Sequence, residues 1–226
     1  IMGESPYKSP TDMGVNMAGH CIVDDEVTRQ ASREEIVRRY YTTLTQARKN
    51  GTDRSQTDKI ELLMSKAGTS IADRPVVKAA LQRSEETSGV AAAIQLHDGT
   101  VVCGKTSELL GAASAMLLNA LKHLASIPDA VNLISPTILE PICEMETRQL
   151  GHTNPRLHTE EVLVALSVCA LTDCNARSAM ECLSQLRGCE VHVSVILSPK
   201  DETIFRRLGI NLTCEPLYQS SRLYHG

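Results

Sequence analysis

The chain has 226 residues, 42% of them hydrophobic and 22% charged, with a net charge of −4 and no long basic run. That length buries a real core without disulfide staples. The charge excludes a non-specific nucleic-acid binder, and no apolar run approaches the length of a membrane span.

With one Phe, five Tyr and no Trp, the core has to be aliphatic. No basic, then apolar, leader opens the chain. Eight Cys occur, none as Cys-x-x-Cys, mostly inside apolar patterns such as "LSVCAL". These features lead us to expect reduced thiols and a cytoplasmic protein. The opening "IMGESPYKSPTDMG" reads as the middle of a longer protein.

Residues 1–24 lack periodicity and read as a loop in which Pro flanks polar groups, Lys8 and Asp12 among them. "SREE" is a capping box that predicts a helix from Ser32 to about Lys49. A second helix is expected from about Ser55 to Ala67, and a third with Asp73 as its cap and Pro75 in its first turn. Residues 1–88 are thus expected to form a loop plus a helical subdomain.

After Gly89 the pattern changes. "VAAAIQL" and "TVVCG" flank "HDG", the signature of a β-hairpin. A helix is predicted from about Ser107 to Ala125, with Leu110, Ala113, Leu117, Ala120 and Leu124 spaced by three and four. "AVNLIS" reads as a third strand. Helices follow from Pro136, with Pro141 as an early interruption, from Thr159 as a cap, and over about 176–187. "EVHVSVIL", "KDETIFRRLG" and "INLTCEP" read as strand, helix and strand. Residues 89–226 are therefore expected to form an α/β unit, β-β-α-β-α-β-α-β, with a mixed five-stranded sheet and helices on both faces.

The stretch "GTVVCGKT" spells a phosphate-binding P-loop, with Gly99, Gly104, Lys105 and Thr106 in place. A P-loop wraps backbone N–H groups around phosphate. Thr100, Val101 and Val102 are β-branched and favour extended backbone instead. The match is therefore read as a strand. Lys105, Thr106 and Ser107 still precede a predicted helix start, which suits an anion.

The strings "SPYKSPTDMGVNMAG", "GKTSELLGAASAMLLNALK", "NPRLHTEEVLVALS" and "GCEVHVSVILS" resemble a bacterial family catalogued as domain of unknown function 1846. The likeness runs through nearly the whole chain. It implies a cytosolic protein with no assigned reaction. It also implies a Rossmann-like N-terminal half with a glycine-rich P-G-P-G-S-G-K segment, so that this chain is the C-terminal half and the N-terminal half is its partner.

More distantly, the element order resembles the cytidine-deaminase fold. That family places His- or Cys-Ala-Glu on the helix after the hairpin and Ser-Pro-Cys-x-x-Cys after the third strand, for zinc. Here those positions read Gly111-Ala112-Ala113-Ser114-Ala115, and Ser135-Pro136 followed by Thr137-Ile138-Leu139-Glu140. The ligands are missing, so no bound zinc is expected.

The densest polar segment is "GHTNPRLHTEE". His158 is the acid–base candidate there. Arg156 suits bidentate capture of an anion, with Asn154 beside it. Taken together, Lys8, Asp12, Lys105, Thr106, Ser107, Ser135, Thr137, Asn154 and Arg156 are candidate ligand contacts for a phosphorylated or nucleotide-like molecule. No motif names a cofactor, and none decides whether the protein is an enzyme. Apolar faces such as "VLVALSVCAL" keep a second class open, a non-catalytic homo-oligomerisation or regulatory module.

Overall fold

The computed structural model describes residues 25–51 and 55–219. The predicted site residues Lys8 and Asp12 lie outside the described residues. Those that are described build eight α-helices and one open four-stranded mixed sheet.

Helix α1 (Asp25–Asn50) begins before the predicted cap. Ser32 lies inside it and turns its hydroxyl back to the Thr28 carbonyl, so the "SREE" box does not open the helix. Helix α2 is Ser55–Ala67. A short 3-10 turn, Ile71–Asp73, follows, closed by a reciprocal cap between Ser70 and Asp73. Asp73 is thereby committed to Ser70, and Arg74 takes the N-cap position of α3 (Pro75–Thr87), with Pro75 in its first turn as expected.

Strands β1 (Ala91–Gln95) and β2 (Val101–Lys105) form the predicted antiparallel hairpin. Gly99 at its tip has φ +86, a left-handed conformation that glycine adopts without a steric penalty. Strand β3 (Glu190–Val193) pairs antiparallel with β1, and β4 (Asn211–Cys214) pairs parallel with β3 after the crossover through α8 (Pro199–Leu208). The order is β2-β1-β3-β4. Of the two candidate readings of the "GKT" spelling, the hairpin is what forms.

The expected fifth strand, 130–135, is absent, and the deaminase-like strand count goes with it. Both edges of β1 are taken by β2 and β3. The segment instead folds as turns behind helix α4 (Ala112–Leu124), burying the consecutive pair Leu133 and Ile134. A short apolar run reports burial but not whether a ladder partner exists.

Helix α4 starts five residues later than predicted. Residues 107–110 bend in a local turn, with the Ser107 amide donating to the Leu110 carbonyl at 2.9 Å, and Leu110 forms an isolated parallel bridge with Leu157. Beyond it lie α5 (Pro136–Arg148), which continues through Pro141, α6 (Thr159–Cys169), and α7 (Cys174–Glu181) with a 3-10 turn to Leu186.

Strand alternation splits β1 between two cores. Ala92 and Ile94 join the main core with α4, α6 and α7, while Ala93 packs with Val76 and Ala80 of α3 on the other face. Contact between α4 and β2 is close at Gly104. A Cβ there would stand 2.1 Å from the Met116 backbone nitrogen. The glycine of the P-loop spelling serves helix–strand packing. The seven described cysteines are free thiols. No helix among the described residues is long and apolar enough to cross a membrane.

Candidate functional site

Two loops are stitched together at one end of the sheet. The Leu157 amide donates to the Leu109 carbonyl at 2.9 Å, and the Gly111 amide to the Leu157 carbonyl at 3.3 Å. The Ser114 hydroxyl donates to the same carbonyl at 3.1 Å. This seam carries the "NPRLH" residues across the start of α4.

Beside it lies a cavity of about 460 Å³, a volume typical of small-molecule sites. Ala112 to Ser114 of α4, His158 at the N-cap of α6, and Ser198 to Asp201 at the start of α8 all line it. Three helix N-termini therefore converge on one space, each bringing the positive end of its dipole. Arg156 and Lys200 add positively charged side chains, His152 lines the wall paired with Glu146, and Val90, Leu157 and Val195 give part of the wall an apolar character.

Arg156 is aimed by its neighbours. Asn154 Oδ1 accepts from the Arg156 amide at 3.1 Å, and Arg156 Nε donates to the Ser107 carbonyl at 2.8 Å. Among the described residues its two terminal nitrogens have no hydrogen-bond partner and remain for another one. Thr106 lines the same cavity and donates its amide to the Val90 carbonyl at 2.9 Å.

His158 is paired with Asp201, Nδ1 to Oδ2 at 2.8 Å. Asp201 is buried, and its Oδ1 accepts the Thr159 amide at 2.8 Å while Oδ2 accepts the Ser198 hydroxyl at 2.9 Å. One α8 carboxylate thus closes the first turn of α6. The Asp201 hydrogen bond, reinforced by its charge and that of Glu161, raises the His158 pKa against burial and Lys200. Burial by itself would push the Asp201 carboxyl up, but the His158 bond and charge and the Thr159 amide hold it below the ordinary range. Ser198 sits 3.5 Å from His158 Nδ1, on the Asp201 side of the ring, so it acts as an α8 cap and carboxylate donor.

The sequence candidates separate into groups. Thr106, Asn154, Arg156 and His158 meet at the polar cavity. Lys105, the last residue of β2, is exposed and lines neither of the two cavities. It has no helix start beside it, because Ser107 accepts the Leu110 amide in a local turn. Ser107 and Pro136 line a second, largely apolar cavity of about 400 Å³ with Leu118 and Ile134. Ser135 caps α5 through Thr137, and neither residue lines either of the two cavities. Cys103, the one thiol near Lys105, is pushed up in pKa by burial, away from a reactive thiolate. Among the described residues no cluster of three or more His, Cys, Asp or Glu could hold a metal ion.

Asp201, Ser198 and Lys200 were not among the sequence candidates. "SPKDE" carried a signal, since Ser-Pro followed by an acid is a helix start. It did not reveal that the start faces the "NPRLH" loop.

The chain matches two family models, "Domain of unknown function DUF1846, C-terminal" over residues 72–224 and "Domain of unknown function DUF1846, N-terminal" over residues 1–68. It is 55% identical over 225 residues to a UPF0371 protein of Corynebacterium aurimucosum, covering 99% of this chain and 45% of that one. It is 54% identical to one of Corynebacterium diphtheriae and 46% identical to one of Streptococcus thermophilus, each over 224 residues with the same coverage. The chain thus spans less than half the length of these curated relatives. The expected reading as a C-terminal half alone is corrected, because α1 and α2 fall within the N-terminal match. From the core of α3 to the last strand and back through α1, this chain belongs to the DUF1846 family, also called UPF0371.

Proposed function

We propose that the polar cavity binds a small anionic molecule, phosphorylated or nucleotide-like, with Arg156 as its chief side-chain ligand. The observation that carries this reading is the convergence of the α4, α6 and α8 N-termini beside Arg156 and Lys200. One helix start attracts an anion weakly; several pointed at one half-enclosed space with a guanidinium add up. Thr106 and Asn154 contribute polar contacts, and His158 is the acid–base group. Lys105, Ser135 and Thr137 stand outside the cavity and have no part in it.

The test is calorimetric titration of the chain with inorganic phosphate and with a panel of sugar phosphates and nucleotides, before and after Arg156→Ala. A charge-assisted hydrogen bond is worth about 1.5–3 kcal/mol, so the variant should bind roughly ten- to a hundredfold more weakly. Equal affinity in both proteins across the panel, or no binding at all, refutes the reading.

A second reading, assembly through a helix face, is favoured by α6. Val164 and Val168, four residues apart on it, are each 60% exposed, and Leu171 in the turn just past its end is 75% exposed. Sedimentation velocity of the chain and of Val168→Lys separates the two. A self-associating chain that the charge makes monomeric supports assembly, and a monomer at all concentrations removes it.

A further inference from the structure

His158 spends one ring nitrogen on Asp201 and keeps the other for the cavity. Nδ1 lies 2.8 Å from Asp201 Oδ2, and among the described residues nothing hydrogen-bonds Nε2. The ring is 25% exposed and lines the polar cavity with Arg156 and Lys200. Its partner cannot turn away, because Asp201 is buried and also tied to the Thr159 amide and the Ser198 hydroxyl. The backbone is fixed too, with the His158 amide donating to Glu161 Oε2 at 2.5 Å. An imidazole held by a locked carboxylate, its second nitrogen facing a ligand-sized space, has the form of a proton-transfer group.

We propose that protonated His158 presents its Nε2 proton to an oxygen of a phosphorylated ligand in this cavity, as the donor for proton transfer, and that Asp201 is the residue that positions it. This rests on the anion-binding reading above. In the step, the Nε2–H bond breaks and an O–H bond forms on the ligand. The electron pair of the broken bond stays on Nε2, the imidazolium becomes neutral imidazole, and Asp201 remains a carboxylate holding the Nδ1 proton. The ligand oxyanion loses one negative charge.

The charged groups around the ring favour the donor form. Asp201 from α8 and Glu161 from α6 stabilise the imidazolium; Lys200 from α8 opposes it, as does burial, with a net upward shift. Arg156 lines the same cavity and draws the ligand anion toward the ring, while His152, also on its wall, is paired with Glu146.

The experiment is a pH titration of the chain labelled with 15N-histidine and 15N-arginine, read by long-range proton–nitrogen correlation, with and without inorganic phosphate. His158→Gln assigns its signals among the seven histidines. Nδ1 should stay protonated throughout and Nε2 should be the nitrogen that titrates. Saturating phosphate should raise the His158 midpoint by about one unit and shift both Nε2 and the Arg156 side chain. Asp201→Asn should mix the tautomers and lower the midpoint while the Arg156 response to phosphate persists; a merely structural carboxylate would leave the tautomer alone. If phosphate shifts Arg156 but leaves Nε2 unmoved, the proton-transfer inference fails and the binding reading survives. If neither moves, both fail. Should Asp201→Asn not fold, the unaltered chain still decides, since Nδ1 titrating in place of Nε2 overturns the proposal.

Discussion

Arg74 and Glu190 form an ion pair, Nη2 to Oε2 at 2.7 Å, in which the arginine is wholly shielded from solvent. The same guanidinium donates to the Val191 carbonyl at 3.0 Å and the Asn211 carbonyl at 2.8 Å, and it touches Thr213. Glu190 also accepts from Arg38 of α1 at 2.5 Å. The residue that starts α3 therefore clamps β3 to β4, and α1 is drawn onto the same carboxylate. Removing one partner of a buried pair strands the other charge. Arg74→Met should cost about 3–5 kcal/mol of stability, read from urea unfolding midpoints. A loss below about 1 kcal/mol would mean that water reaches the pair.

Gly104 faces the α4 backbone so closely that a methyl group cannot enter without moving Met116. Backbone, unlike a side-chain tip, has no rotamer to escape into. Gly104→Ala should therefore destabilise the chain by about 1–3 kcal/mol or more. It should also loosen the bond from Asn119 Nδ2 to the Cys103 carbonyl, now 2.9 Å. Thermal melting checks the first effect and amide exchange along β2 the second. A melting temperature equal to that of the parent chain would contradict this packing.

Lys105→Ala should leave phosphate affinity within about twofold and stability within about 0.5 kcal/mol, because the side chain is exposed and outside both cavities. Parallel titrations of this variant and of Arg156→Ala make the comparison. A large loss from Lys105→Ala alone would move the anion away from the α4, α6 and α8 starts.

Which parts were legible in the sequence follows from what each signal encodes. The β1–β2 hairpin was visible because "HDG" between two short apolar runs is a local instruction, and α2 and α8 were visible as short runs that each stop at a glycine, Gly68 and Gly209. "AVNLIS" misled because its apolar residues record only burial, and the sheet had no free edge beside β1 for them. The start of α4 was misplaced because Ser107 satisfies the Leu110 amide and Leu110 is claimed by Leu157, which lies far along the chain. The same non-local contact explains the site. "NPRLH" advertised Arg156 and His158 by composition, but Asp201 stands 43 residues beyond His158. A single sequence contains no spacing rule that joins them.

Two histidines should shape stability against pH in opposite directions. His192 of β3 is fully buried, with Nδ1 2.9 Å from Thr213 Oγ1, Nε2 3.1 Å from Glu215 Oε1, and its ring 4.7 Å from Tyr41. Burial, helped by the nearby Arg74 charge and opposed by Glu215, lowers its pKa from the ordinary 6.5. The folded chain thus refuses a proton that the unfolded chain accepts, and stability falls as pH drops below about 6.5 toward the lower folded value. His158 is raised above 6.5 by Asp201. Its contribution is complete below 6.5 and is lost as pH climbs through the raised value. Asp201, held low, withdraws its own contribution only in stronger acid, as pH falls through its depressed folded value. The urea midpoint should therefore peak near pH 6.5, with an acid arm due to His192 and an alkaline arm due to His158. His158→Gln should flatten the alkaline arm and spare the acid one, and His192→Gln should do the reverse. An alkaline arm that survives His158→Gln unchanged would mean that the His158–Asp201 contact adds nothing to the fold, leaving the Thr159 and Ser198 bonds to hold the carboxylate alone.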